Sequence, residues 1–226
     1  MIRPPVPPDA RAGLDELTAR DADLGRIERT AGPLPWRTRP RGFPGLLQAI
    51  VGQQISNQAA AAIWRRLAET PGALQPAGLL ALDDAALRAA GLSRPKIGHV
   101  RALGAAFAEG RLDAAALELM DDEAAVASIA AVRGLGRWSA EIYLLFALGR
   151  MDVFPTGDLA LAAAAADLKG LGERPGPAAL RVLAEPWRPY RALAARLLWH
   201  HWRYVTGRPA MDDLPGAPLA VVDVAT

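Results

Sequence analysis

Asp158 closes the run Phe154-Pro155-Thr156-Gly157-Asp158. It stands twenty residues after Trp138, in the run Val132-Arg133-Gly134-Leu135-Gly136-Arg137-Trp138-Ser139-Ala140. The two runs suit different chemistry. Glycines on both sides of one leucine let the chain turn tightly with positive φ and leave its backbone bare. A helix-forming run over 139–148 follows at once, so the turn aims N–H groups and the positive end of a helix dipole forward. A phosphate is the ligand such a turn suits. Gly, Leu and Gly read no base edges, so a nucleic acid would be held by its backbone without regard to sequence. A carboxylate beside a phosphate clamp is out of place unless a cationic centre forms there. Plainer roles use the same residues. The hairpin could be an αα-turn closed by glycine, and Asp158 could be an N-cap for a helix over 159–168.

Both groups need elements that bring them together. A helix over 139–148 carries the chain roughly 15 Å away at about 1.5 Å per residue. The loop 149–157 reaches up to about 30 Å when extended, so it can return Asp158 to the hairpin's end. Elsewhere the apolar spacing predicts a helix over 14–29, then a helix pair or one long helix over 43–68, carried by Leu46, Leu47, Ile50, Val51, Ile55, Ile63 and Leu67. Further helices are read over 79–89, 95–109, 114–120, 123–131, 159–168, 178–183 and 189–205. Pro33, Pro35 and Pro40 make 30–42 a surface linker. Residues 1–12 are Pro-rich and read as extended or disordered. The tail from 207 reads as loosely packed, and 219–224 is a short strand candidate. The fold class is all-α.

The chain has 226 residues, of which 51% are hydrophobic and 22% charged. That suits one large domain or two small lobes sharing a cleft. A net charge of +2 is small, so nucleic-acid binding must rest on local clustering. The sequence contains no cysteine, which excludes a disulfide, a thiol nucleophile and a Cys-ligated zinc or iron–sulfur cluster. His99, His200 and His201 are too few and too badly spaced for a convincing metal site. No signal-like apolar region and no run of about 18 apolar residues occurs, so a soluble cytoplasmic protein is expected.

The segments Leu135-Gly136-Arg137-Trp138-Ser139-Ala140-Glu141 and Asp152-Val153-Phe154-Pro155-Thr156-Gly157-Asp158-Leu159-Ala160-Leu161 resemble the helix-hairpin-helix DNA glycosylases. Within them the chain is most similar to the alkylbase branch, DNA-3-methyladenine glycosylase II. Three more blocks agree in order: 43–67 with Gly52-Gln53-Gln54-Ile55-Ser56, the run from Gly91-Leu92-Ser93 to Lys96, and the run from Trp187-Arg188-Pro189-Tyr190 to Trp199. The resemblance extends over about 43–202.

The resemblance implies two helical lobes, 43–153 with the helix-hairpin-helix and 1–42 plus 154–226, without an N-terminal β domain. Their cleft would have Trp138 on one wall and Asp158 and Trp199 on the other. It implies a monomer that acts on double-stranded DNA with alkylated bases, near the nucleoid, in base excision repair. A base cannot be reached inside the stack, so it must be flipped out. Gly134, Leu135, Gly136, Arg137 and Ser139 would hold phosphate, and Gln54 would fill the vacated space unless it merely caps a helix break. Lys96 would touch phosphate or cap a helix. Trp138 and Trp199 would stack on the base, with Ile142 where some relatives have a third aromatic. Indole faces attract the positive charge of an alkylated purine. Asp158 would stabilise the oxocarbenium-like sugar and orient water. Carbonyls of Ala130, Val132 and Leu135 would hold Na+ or K+, the only cofactor implied. Relatives that also cut the strand carry a lysine where this chain has Trp138, so monofunctional hydrolysis without lyase activity is expected. A non-catalytic helix-hairpin-helix protein that binds DNA or senses damage, and a glycosylase for mismatched bases, are the alternatives.

Overall fold

Aspartates decide where several helices begin. The computed structural model describes residues 5–207. Helix α1 (Pro8–Arg20) ends at Asp21, whose N–H donates to the Leu17 carbonyl. The Asp21 carboxylate then accepts the N–H groups of Asp23 (3.0 Å) and Leu24 (3.3 Å) and opens α2 (Ala22–Ala31). The helix expected over 14–29 is therefore two. The stretch expected to be extended turns helical at Pro8, because proline fits the first helical position, where its missing N–H costs nothing. Helices α3 (Gly42–Gly52) and α4 (Asn57–Glu69) are the expected pair. The helix read over 79–89 is broken into α5 (Pro76–Ala81) and α6 (Asp84–Ala89), because Asp83 caps the second through the Ala86 N–H at 2.7 Å. There follow α7 (Arg94–Ala108), α8 (Ala114–Leu119), α9 (Asp122–Ala130) and α10 (Arg137–Phe146). The chain ends its described part with α11 (Leu159–Lys169), α12 (Pro177–Ala184), a 3-10 turn (Glu185–Trp187) and α13 (Arg191–Thr206). Among the described residues there is no strand, and no helix is long and apolar enough to cross a membrane. The tail beyond 207 and its strand candidate lie outside the described residues.

The chain divides into two compact units. Thr38–Leu148 forms one, built on α3 to α10. Leu46, Leu47 and Ile50 of α3 and Val100 and Leu103 of α7 are buried in its core, as are Ile129, Leu144 and Leu145 of the hairpin's two helices. The other unit combines the segments 5–37 and 149–207. Its core packs α11 against α13 and α1 against α2. Ala162, Ala164 and Ala165 on α11 are small, which lets α11 lie close against α13. Lys169 at the end of α11 reaches both Asp21 oxygens (2.7 and 2.8 Å), and the Trp187 indole N–H adds a third bond at 2.7 Å. Burial alone would raise the Asp21 carboxyl, but Lys169, Trp187 and the Leu24 N–H outweigh it and hold the group below the usual range.

Candidate active site

Asp158 sits at the start of α11, with Oδ1 accepting the Ala160 and Leu161 N–H groups, each at 2.9 Å. It is a helix cap, as the plain reading of the sequence has it, and it is more than that. Asp83, Asp113 and Asp121 cap α6, α8 and α9 from exposed positions, each through one backbone N–H. Asp158 is half-buried and accepts a third donor, the indole Nε1 of Trp199 on α13, at 3.3 Å. Three donors on one oxygen fix the plane of the carboxylate.

The loop before Asp158 is anchored at both ends. Asp152 takes a two-pronged bond from Arg191 at the start of α13 (2.9 and 3.0 Å) and a further one from Arg188 (2.7 Å). Phe154 is buried against Trp187, their ring centroids 5.8 Å apart. The Asp158 N–H closes a turn onto the Pro155 carbonyl at 2.9 Å. Trp199 and Asp158 are thus held on one rigid pair of helices, and Asp152 and Arg191 are positioning residues that the spacing of the sequence did not single out.

The hairpin belongs to the other unit. Leu135 N–H bonds the Val132 carbonyl at 3.0 Å, and Gly134 turns with φ +96°. A Cβ at Gly134 would overlap the His99 ring on α7, so only glycine fits there. Gly136 precedes α10 with no side chain capping the helix, which leaves its first amides without a side-chain acceptor from the cap. Trp138, in the first turn of α10, keeps 44% of its surface exposed. Ile142, one turn on, is 3% exposed and packs inward.

Four residues expected to touch DNA have side chains that are committed or buried within the unit. Arg137 bonds Glu123 through both terminal nitrogens (2.9 and 2.6 Å) and Glu141 through Nε (2.9 Å), tying α9 to α10. Glu123 foremost, with Glu141, raises its pKa above the usual guanidinium range. The Leu135 side chain is buried, and so is Ser139. The Lys96 ammonium caps α3 through the Val51 carbonyl at 2.6 Å, and its burial lowers its pKa. Arg133 was missed as a candidate. It is exposed on the hairpin and makes no ion pair among the described residues. Gln54 is exposed and holds φ +56°, the only non-glycine with positive φ among the described residues. That conformation costs a residue with a side chain about 1–2 kcal/mol.

The sequence profile described as HhH-GPD superfamily base excision DNA repair protein matches residues 47–189. The chain belongs to that superfamily. Among its relatives, DNA-3-methyladenine glycosylase 1 of Schizosaccharomyces pombe is 29% identical over 192 residues, 83% of each chain. The alkylbase DNA glycosidase-like protein mag2 of the same yeast is 26% identical, covering 84% of this chain and 93% of its own. In structure the chain is similar to DNA-3-methyladenine glycosidase from Bacillus halodurans, with a TM-score of 0.77 and 32% identity over 88% of this chain and 94% of that one. The S. pombe Mag1 enzyme, solved with abasic DNA, gives 0.74 and 26% over 90% and 98%.

Some superfamily members are expected to carry a monovalent cation on the hairpin. The residues here fit one. Backbone carbonyls are hard oxygen donors, and those of Ala130 and Leu135 accept no hydrogen bond among the described residues. The Val132 carbonyl accepts one and keeps a second lone pair.

Proposed function

We propose that this chain is a monofunctional DNA glycosylase that removes alkylated purines, of the 3-methyladenine and 7-methylguanine type, from double-stranded DNA. The observation that carries the reading is the Asp158 carboxylate, held by two backbone amides and the Trp199 indole in a base-excision-repair fold.

The clamp is the hairpin. Backbone amides at Gly134, Gly136 and the start of α10 bind phosphate, helped by the helix dipole. Carbonyls of Ala130, Val132 and Leu135 would hold Na+ or K+, which when bound would supply positive charge to a phosphate oxygen. Gln54 enters the space left by the flipped nucleotide. Trp138 offers an exposed indole face, on which a cationic base gains about 0.5–2 kcal/mol over a neutral one.

Chemistry falls to Asp158. An alkylated purine carries a formal positive charge, so it leaves as a neutral base when the bond to C1′ breaks and its electron pair goes to nitrogen. No general acid is needed. Positive charge then develops on the sugar, and the Asp158 carboxylate stabilises it. Water attacks C1′, and its proton passes to the carboxylate or to solvent. Trp138 stands where a strand-cutting relative needs an amine, so the product is an intact abasic strand.

Incubation with methylated duplex DNA, followed by chromatography of the released bases, tests the reading. Free 3-methyladenine and 7-methylguanine, with strand breaks only after heat or alkali, are the expected result. Release of thymine or adenine from mismatches instead would move the substrate to another lesion. Binding without any release would leave a damage sensor.

A further inference from the structure

The turn that carries Gln54 is fastened to the phosphate-binding hairpin by its neighbour. Gln53 Nε2 donates to the Gly134 carbonyl at 2.9 Å and lies 3.4 Å from the Ser139 hydroxyl oxygen, which accepts from it. A carbonyl can only accept, so the amide nitrogen must face it. The bonds join residues 81 and 86 apart in sequence. Two further ties hold the same turn. Lys96 caps the end of α3 at Val51, immediately before it, and Ser56 caps α4 immediately after it through the Ala59 N–H at 3.2 Å. His99, one turn beyond Lys96 on α7, packs against Gly134. Between these fixed points Gln54 is exposed and holds the left-handed conformation that side chains rarely adopt. Strain of this kind persists where surrounding contacts over-determine it.

The geometry points to Gln53 as a positioning residue: its amide latches the Gln54 turn onto the Gly134–Ser139 hairpin, so that clamp and plug engage DNA as one piece. This rests on the proposed role of Gln54 as the plug. Binding phosphate at the hairpin then sets the depth and direction at which Gln54 enters the helix. Without the latch the Gln54 backbone relaxes toward ordinary φ and the plug loses its aim.

A double-mutant cycle on the full chain tests this. The probe is a duplex with a tetrahydrofuran abasic analogue next to 2-aminopurine, whose fluorescence rises when stacking is disturbed. Release of 7-methylguanine from methylated duplex is followed in parallel. Gln54→Ala is expected to cut both signals about tenfold, and Gln53→Ala to cut them by a similar factor. The double variant should fall no lower than Gln54→Ala alone, because Gln53 acts through Gln54. Multiplying effects, an unchanged Gln53→Ala protein, or no fluorescence rise with the parent chain each overturn the latch. Should Gln53→Ala fail to fold, Gln53→Glu decides. Its charged carboxylate opposes the Gly134 carbonyl, whereas the protonated form can donate. Its fluorescence signal, relative to the parent chain, should therefore recover as pH falls from about 7 to about 4. A flat ratio contradicts the latch. If the parent chain disturbs stacking but releases no base, the proposed function falls and the cycle still decides the role of Gln53.

Discussion

The indole N–H of Trp199 donates to Asp158 Oδ1 across 3.3 Å, and the same oxygen accepts the Ala160 and Leu161 amides in the first turn of α11. A tryptophan expected to serve by its ring face alone thus makes a bond by its edge. It orients the carboxylate on which the proposed chemistry depends.

Trp199→Phe separates the two roles, since it keeps a ring and removes the donor. Loss of a hydrogen bond to a charged acceptor is worth about 1.5–3 kcal/mol where it is fully felt. Base release should slow about tenfold or more in single-turnover assays, with binding to abasic duplex little changed. Unchanged release would mean that the two α11 amides suffice to hold Asp158.

Trp138 is expected to select for charge. Trp138→Ala should slow release of cationic 7-methylguanine by up to about thirtyfold, the reach of a desolvated cation–π contact of about 2 kcal/mol. Release of a neutral base such as hypoxanthine should fall less. Parallel time courses on the two substrates check this, and equal losses would assign Trp138 to shape alone.

The two hairpin arginines should behave differently. Arg133 is exposed and free to meet phosphate, whereas Arg137 is bound to Glu123 and Glu141. Arg133→Ala should weaken binding to any duplex and lower the slope of log K against log salt by about one. Arg137→Ala should instead lower the thermal midpoint, because it removes the Glu123 and Glu141 ion pairs that tie α9 to α10. Titrations at several salt concentrations, beside thermal unfolding, distinguish them.

How much of this was legible follows from sequence distance. The hairpin and the Asp158 loop were readable because glycine spacing and a following helix are local signals. The division of 14–29 and 79–89 into two helices each was not, since Asp21 and Asp83 interrupt an apolar pattern that continues across them. Arg137 looked like a phosphate ligand because it follows Gly136, yet its partner Glu123 lies 14 residues back on the facing helix. Gln53 was passed over for a like reason: Gly134 is brought to it only by the fold.

Acid should weaken the fold through His200, whose Nε2 lies 2.9 Å from the Gly32 carbonyl. Burial is the largest influence and lowers its pKa, with Arg203 and Arg37 adding to that and the Gly32 carbonyl and Glu28 opposing. The unfolded chain therefore takes the proton first, and stability is lost as pH falls below about 6.5. His200→Gln keeps a donor for Gly32 and does not titrate. Its unfolding free energy in urea should change less between about pH 7 and pH 5 than that of the parent chain. Parallel curves would place the acid sensitivity elsewhere.

Asp158→Asn addresses the central claim. Asparagine caps helices about as well as aspartate, so the fold, the thermal midpoint and binding to abasic duplex should be nearly unchanged. The variant cannot neutralise a developing cation. Single-turnover release of 7-methylguanine from methylated duplex should fall by about a hundredfold or more. Release within a few-fold of the parent chain would contradict the account at its base.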